Sequence, residues 1–344
     1  MSIQSPCYTS PAAAPPLECD DLLSEILLRL PPQPSSLPLA SLASSAKVPT
    51  TSPSNPPWSP PTASRLAAPP CALPDARFYF LGCRHGLVLI FQKTLHQVLV
   101  WDPVAGDQRS FPAHPGIDFD TNNTPAGAVL RDAQHFRVVL ASLDNNQQHH
   151  TRASAFIYSS ETSLWSDRVS ALLPSDDSMH FMSSPAVLAG DSLYWILIGK
   201  ISRVLLEFDL DKQSLSVMHL PLDRFGFCQP WDITVMRAAG GGLGLLFMSG
   251  LTAQLWKSNT DSDGVASWVL GRTIELDKLL PLNLKREKRF LMITGFSESN
   301  NVVFLGSVVS LFTVQLDSLQ FKKISEIRAG YWYHPFESIY AAGI

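Results

Sequence analysis

From about residue 75 onward, apolar residues come in short runs separated by Gly, Pro, Asn, Asp and Ser. The first half carries Phe78–Leu81, Gly86–Phe91, Gln97–Trp101, Phe136–Leu140 and Ala155–Tyr158. The second half continues with Ser192–Ile198, Val204–Phe208, Leu243–Met248, Val302–Leu305 and Leu311–Val314. These runs are rich in β-branched and aromatic residues, which suit a pleated, packed surface. No long stretch of helical periodicity interrupts them, so residues 75–344 read as an all-β domain.

Within that domain one hairpin pattern recurs: an apolar strand, a polar turn, and a strand carrying a hydroxyl or aromatic residue. It is anchored at Trp101, Tyr158, Phe208, Trp256 and Val314, at intervals of 57, 50, 48 and 58 residues. Four-stranded propeller blades repeat about every 40 to 50 residues with loop insertions, so the domain reads as a β-propeller of about six blades. A single β-sandwich is the alternative, but residues 75–344 are a long stretch for one sandwich.

The amino-terminal side has another pattern. Leu22, Leu23, Ile26, Leu27 and Leu30 recur at helical spacing behind Asp20-Asp21, and Pro31-Pro32 forbids continuation. This predicts a short amphipathic helix over residues 20–30, which is marginal alone in water and must lay its apolar stripe on something else. Of the 27 prolines, 17 lie in residues 1–74. Residues 43–74 are a Pro/Ser/Thr/Ala-rich linker that offers little to bury, and they are expected to be disordered, as are residues 1–16.

Asp21-Leu22-Leu23, Ile26-Leu27 and Arg29-Leu30-Pro31 resemble the first helix of the F-box, the module by which substrate receptors dock on the Skp-family adaptor of a cullin-based ubiquitin ligase. Residues 17–42 are therefore read as a partial F-box. The pattern departs from the family at Glu18-Cys19, where Leu-Pro is usual. It departs again after Leu42, where Ala43-Ser44-Ser45-Ala46-Lys47 replaces the expected Val-Cys-Lys-x-Trp and two further helices. A shifted reading frame or mis-joined exon would account for this second break. The propeller also carries a resemblance. Gly82-Cys83-Arg84-His85-Gly86-Leu87, then Val100-Trp101-Asp102-Pro103, is similar to the opening of plant F-box-associated propellers, and Tyr333-His334-Pro335-Phe336 looks like the tail of grass members.

Together these resemblances imply a non-catalytic substrate-recognition subunit of a Skp-cullin-F-box ubiquitin ligase. Asp21, Leu22, Leu23, Ile26, Leu27, Leu30 and Pro31 would contact the adaptor, and the propeller would hold a target protein. An alternative is a propeller interaction module that has lost ligase assembly. A third reading, a propeller glycoside hydrolase, requires paired carboxylates facing one central pocket.

Composition narrows the choice. A net charge of −4 gives no basic footprint for nucleic acid, and the densest positive run, Lys285–Arg289, reads as a solvated loop. Five cysteines without a Cys-x-x-Cys pair read as reduced thiols, and the amino terminus lacks a signal-peptide pattern, so a cytoplasmic or nuclear protein is expected, away from the membrane.

Candidate chemistry is sparse, and no cofactor, metal or catalytic residue is predicted. Gly240-Gly241-Gly242 precedes an apolar strand and reads as a hairpin turn rather than a phosphate cradle. Asn259-x-Asp261-x-Asp263-Gly264 begins like a calcium loop, but its twelfth position is Leu270. His149-His150 lacks neighbouring ligands at metal spacing, and Cys83 with His85 lacks an orienting third group. Trp101-Asp102 and Trp231-Asp232 are read as blade-packing aromatics before turns.

Overall fold

The computed structural model describes residues 27–29, 41–42 and 78–336, apart from 118–124, 133, 145–150, 175–177, 183, 201, 222–228, 239, 261–265, 283–290, 308–309 and 326–332. Two short strands, β1 (Leu27–Arg29) and β2 (Ser41–Leu42), come first. Blade 1 is then β3 (Phe78–Arg84), β4 (Leu87–Gln92), β5 (Gln97–Trp101) and β6 (Gln108–Pro112). Blade 2 is β7 (Ala126–Asp132), β8 (His135–Asp144), β9 (Arg152–Ser159) and an outer strand in two pieces, β10 (Leu164–Trp165) and β11 (Val169–Leu172), both paired with β9.

In blade 3 the inner strand is the divided one: β12 (His180–Phe181) and β13 (Val187–Ala189) both pair with β14 (Ser192–Ile198), followed by β15 (Arg203–Asp209) and β16 (Ser214–His219). Blade 4 is β17 (Ile233–Arg237), β18 (Leu243–Ser249), β19 (Thr252–Thr260) and β20 (Ala266–Glu275). Blade 5 is β21 (Met292–Ser297), β22 (Val302–Gly306), β23 (Leu311–Gln315) and β24 (Phe321–Ser325), after which β25 (His334–Phe336) follows.

The propeller thus has five blades, not six. The five sequence anchors fall in the third strand of each blade, so the recurring hairpins had counted the blades correctly. Dividing the domain by a usual blade length overcounted, because strands such as β8 and β20 run to 10 residues and long connections separate the blades. All ten apolar runs map onto strands, with Gly86 alone in the turn before β4. At the Trp256 anchor the strand runs further than the recurring pattern of strand and polar turn implies, since Ser258 and Asn259 still belong to β19.

Second strands are buried on both faces because blades stack face to face. Every residue of β4, β14 and β22 is buried, hence their unbroken apolar sequences. Four cores lie between successive blades. Phe91, Val138, Leu140 and Phe156 join blade 1 to blade 2. Leu143, Leu193, Leu206 and Phe208 join 2 to 3. Ile196, Leu205, Leu245 and Phe247 join 3 to 4, and Leu246, Ile293, Phe312 and Val314 join 4 to 5.

The ring is closed by the carboxy-terminal strand. Tyr333 packs with Val302, Phe304 and Leu311 of blade 5. Phe336 packs with Val88, Ile90, Leu99 and Trp101 of blade 1. Alternation along an extended chain sends these side chains to opposite neighbours, so one short segment seals both faces of the joint.

The helix expected over residues 20–30 does not hold at Leu27–Arg29. These residues form β1, antiparallel to β2 and parallel to β25, with Leu27, Leu28 and Arg29 in register with His334, Pro335 and Phe336. The ladder edge of β25 offers backbone partners that helical periodicity cannot anticipate. Asp21, Leu22, Leu23, Ile26, Leu30 and Pro31, like the linker at 43–74 and residues 1–16, lie outside the described residues.

Candidate functional site

The first strands of the blades line the centre of the propeller, and their ends enclose a cavity of about 80 Å³. Cys83, Arg84 and His85 enter it from β3 and its turn, Ala186 and Leu188 from blade 3, Thr234 and Arg237 from β17, Glu298 from the turn after β21, and His334 from β25. No long-range sequence signal brings these residues together; the closed ring does.

Arg84 spans the centre. Its Nη2 donates to Glu298 Oε2 at 2.5 Å and to the Ala186 carbonyl at 2.9 Å. The other Glu298 oxygen accepts the Leu188 N–H at 3.2 Å. The ion pair joins blades 1 and 5, and its flanking hydrogen bonds tie both to blade 3. Arg84 is 8% exposed, and its Nε has no hydrogen-bond partner. His334, also 8% exposed, leaves Nδ1 unpartnered, and its ring lies 4.1 Å from Phe80. Burial pushes its imidazole down to about 3, so it is neutral at physiological pH. Each buried donor or acceptor left unmet costs about 1–3 kcal/mol.

Cys83 and His85 do share the cavity lining, but His85 is committed to structure. It sits at φ 52°, its Nδ1 accepts the Arg131 N–H at 3.4 Å, and its carbonyl accepts from Arg131 Nη1 at 3.3 Å. Arg131 in turn donates to Asp102 Oδ2 at 3.1 Å. Asp102 is buried, and its Oδ1 caps the β5–β6 turn through the N–H groups of Val104 and Ala105. The Trp-Asp-Pro sequence thus secures the joint between blades 1 and 2.

The other candidates resolve plainly. Residues 240–242 form the β17–β18 turn, with Ala238 N–H donating to the Gly242 carbonyl at 2.7 Å. Asn259 and Leu270 lie in paired strands β19 and β20, and the acidic residues between them are outside the described residues, as are His149-His150 and Lys285–Arg289. Trp101 is buried as expected. Trp231 is not: it is 46% exposed in the 3-10 turn Pro230–Asp232, so it belongs to the surface rather than to blade packing.

A larger cavity of about 310 Å³ opens between blades 4 and 5, bridged by Arg272 Nη1 donating to the Leu316 and Asp317 carbonyls at 3.1 and 3.3 Å. It lies away from the axis. The central cavity is well below the 300–1,000 Å³ typical of small-molecule sites. Among the described residues its only carboxylate is Glu298, already paired with Arg84, so the described lining does not present the acid pair that glycoside hydrolysis requires. No helix among the described residues is long and apolar enough to cross a membrane.

Residues 79–341 match the family model described as F-box protein AT5G49610-like, beta-propeller. Among solved structures, similarity extends to the Dos1 propeller, at 10% identity and a TM-score of 0.40, covering 74% of this chain and 61% of that one. It extends also to the extracellular domain of BT4673 from B. thetaiotaomicron, at 14% identity and 0.38, covering 72% of this chain and only 27% of that one. The fission yeast SREBP-SCAP binding domains give 10% identity and 0.38, with 74% and 62% covered. No curated protein matches.

Proposed function

Because the chain belongs to the AT5G49610-like F-box propeller family, we propose that it recruits a target protein to a Skp-cullin ubiquitin ligase and performs no chemistry itself. The propeller supplies the binding surface. Asp21, Leu22, Leu23, Ile26, Leu27, Leu30 and Pro31 supply the adaptor contact. The family match over residues 79–341 carries this reading, and the small size of the central cavity supports it.

Magnitudes set the expectation for docking. Five aliphatic side chains contribute roughly 7 to 15 kcal/mol if fully buried, while association costs about 4 to 15 kcal/mol. This one segment without the other F-box helices therefore binds weakly. A second reading is favoured by the strand pairing of Leu27–Arg29 with β25: the protein is an interaction module detached from the ligase.

Titration of the full chain with purified Skp-family adaptor separates the two. The ligase reading expects a complex that Leu22→Asp abolishes. No complex with the natural chain, together with a complex once an intact F-box replaces residues 17–42, establishes detachment.

A further inference from the structure

We propose that β25 is a latch on the adaptor-docking segment: residues 20–31 reach the adaptor only after Leu27–Arg29 leave their ladder with β25. The inference rests on the ligase reading for the adaptor, and on the strand pairing for the latch itself. Leu27–Arg29 form the middle strand of the sheet β2-β1-β25, parallel to His334–Phe336 on one side, with Leu28 and Arg29 antiparallel to Leu42 and Ser41 on the other. Each residue has one N–H and one C=O, so backbone groups spent on these ladders cannot also close the i to i−4 bonds of a docking helix. Spacing excludes the two states in the same way. Three residues rise about 10 Å as a strand and about 4.5 Å as a helix, so Leu23, Leu27 and Leu30 share one stripe only in the helical form.

The fixed half of the latch is β25. The Tyr333 N–H donates to the Thr294 carbonyl at 2.5 Å, and Tyr333 bridges in parallel to Gly295. Tyr333 and Phe336 are buried against blades 5 and 1. These contacts are made to the propeller, so release of β1 leaves the ring closed. The movable half is β1, held to β25 by three register pairs. Residues 43–77, which tie it to the propeller, span at most roughly 120 Å when extended, ample for it to leave. Such a latch lowers the apparent affinity for the adaptor by the fraction of molecules that are open: with roughly one in ten open, docking weakens about tenfold.

Leu28 and Pro335 are register partners, and neither belongs to the expected adaptor contact. Neighbouring strands lie about 4.8 Å apart, within the Cα separation that a disulfide spans. The full-length variant Leu28→Cys/Pro335→Cys is titrated with purified Skp-family adaptor, oxidised and reduced, with the bridge between positions 28 and 335 verified by peptide mapping. The reduced form is expected to bind as the natural chain does, and the oxidised form at least tenfold more weakly. Hydrogen exchange on the natural chain gives a second readout that needs no substitution. Adaptor is expected to slow exchange within residues 20–31 and to speed it in peptides containing 41–42 and 334–336.

Equal adaptor affinity in the oxidised and reduced forms overturns the latch and leaves the ligase reading standing. A bridge that never forms, or an adaptor complex of the natural chain in which both flanking strands keep their protection, overturns it too. Absence of binding in the reduced form, beside a complex with the chain that carries an intact F-box in place of residues 17–42, removes the ligase reading and the latch with it.

Discussion

The His334 ring packs tilted against Phe80 with ring centroids 4.1 Å apart, so the last described strand is seated directly on the first strand of blade 1. This contact makes ring closure sensitive to pH. The folded imidazole is held down to about 3 by burial, whereas the unfolded one titrates near 6.5. Between those values the unfolded chain binds a proton that the folded chain refuses, so stability rises with pH and is lost as pH falls from about 6.5 toward 3. The expected slope from this residue is about 1.4 kcal/mol per pH unit. Chemical denaturation at pH 6.5 and 5.0 checks it: His334→Phe should flatten the wild-type difference.

Gly295 faces Tyr333 across the same joint. A Cβ at Gly295 would lie 2.5 Å from the Tyr333 carbonyl oxygen and 3.2 Å from its Cβ, against backbone that cannot swing away. Gly295→Ala is expected to cost about 1–3 kcal/mol or more in urea unfolding. Gly242→Ala, which meets nothing within 4 Å, should be nearly neutral. Equal effects at the two positions would refute the tight closure.

The Arg84–Glu298 pair predicts strong coupling. Arg84→Met leaves Glu298, which is only 18% exposed, without its cation, at an expected cost of about 3 kcal/mol. The double variant Arg84→Met/Glu298→Met should cost less than the sum of the singles by at least about 1 kcal/mol. Additive losses in a double-mutant cycle would show that the pair does not hold the blades together.

At Asp102 two roles can be separated. Asp102→Asn retains an oxygen for the Val104 and Ala105 N–H groups but loses the charge opposite Arg131. Asp102→Ala loses both. Melting curves should rank wild type above Asn and Asn above Ala, with Ala down by about 3 kcal/mol. Identical losses would leave the turn cap without energetic weight.

The apolar runs could be read directly because a strand buried on both faces has no polar positions to disguise it, as in Leu87–Phe91 and Leu193–Ile198. The blade edges were harder to see. Outer strands such as Gln108–Pro112, mostly exposed, and Ser214–His219, where no residue is buried, carry no long apolar run, while Ala126–Asp132 keeps small residues where neighbouring strands crowd it. There a Cβ on Gly127 would come within 2.9 Å of the Leu140 side chain.

By itself, then, the chain determined an all-β propeller and its repeating hairpin, since both are local patterns of burial and turn chemistry. Only the tertiary structure decided that five blades suffice and that β25 seals the ring. It also turned Leu27–Arg29 into a strand and brought Glu298 to Arg84. Those outcomes depend on which surfaces meet when the ring closes, and residues that meet only then carry no mark of it in their own neighbourhoods.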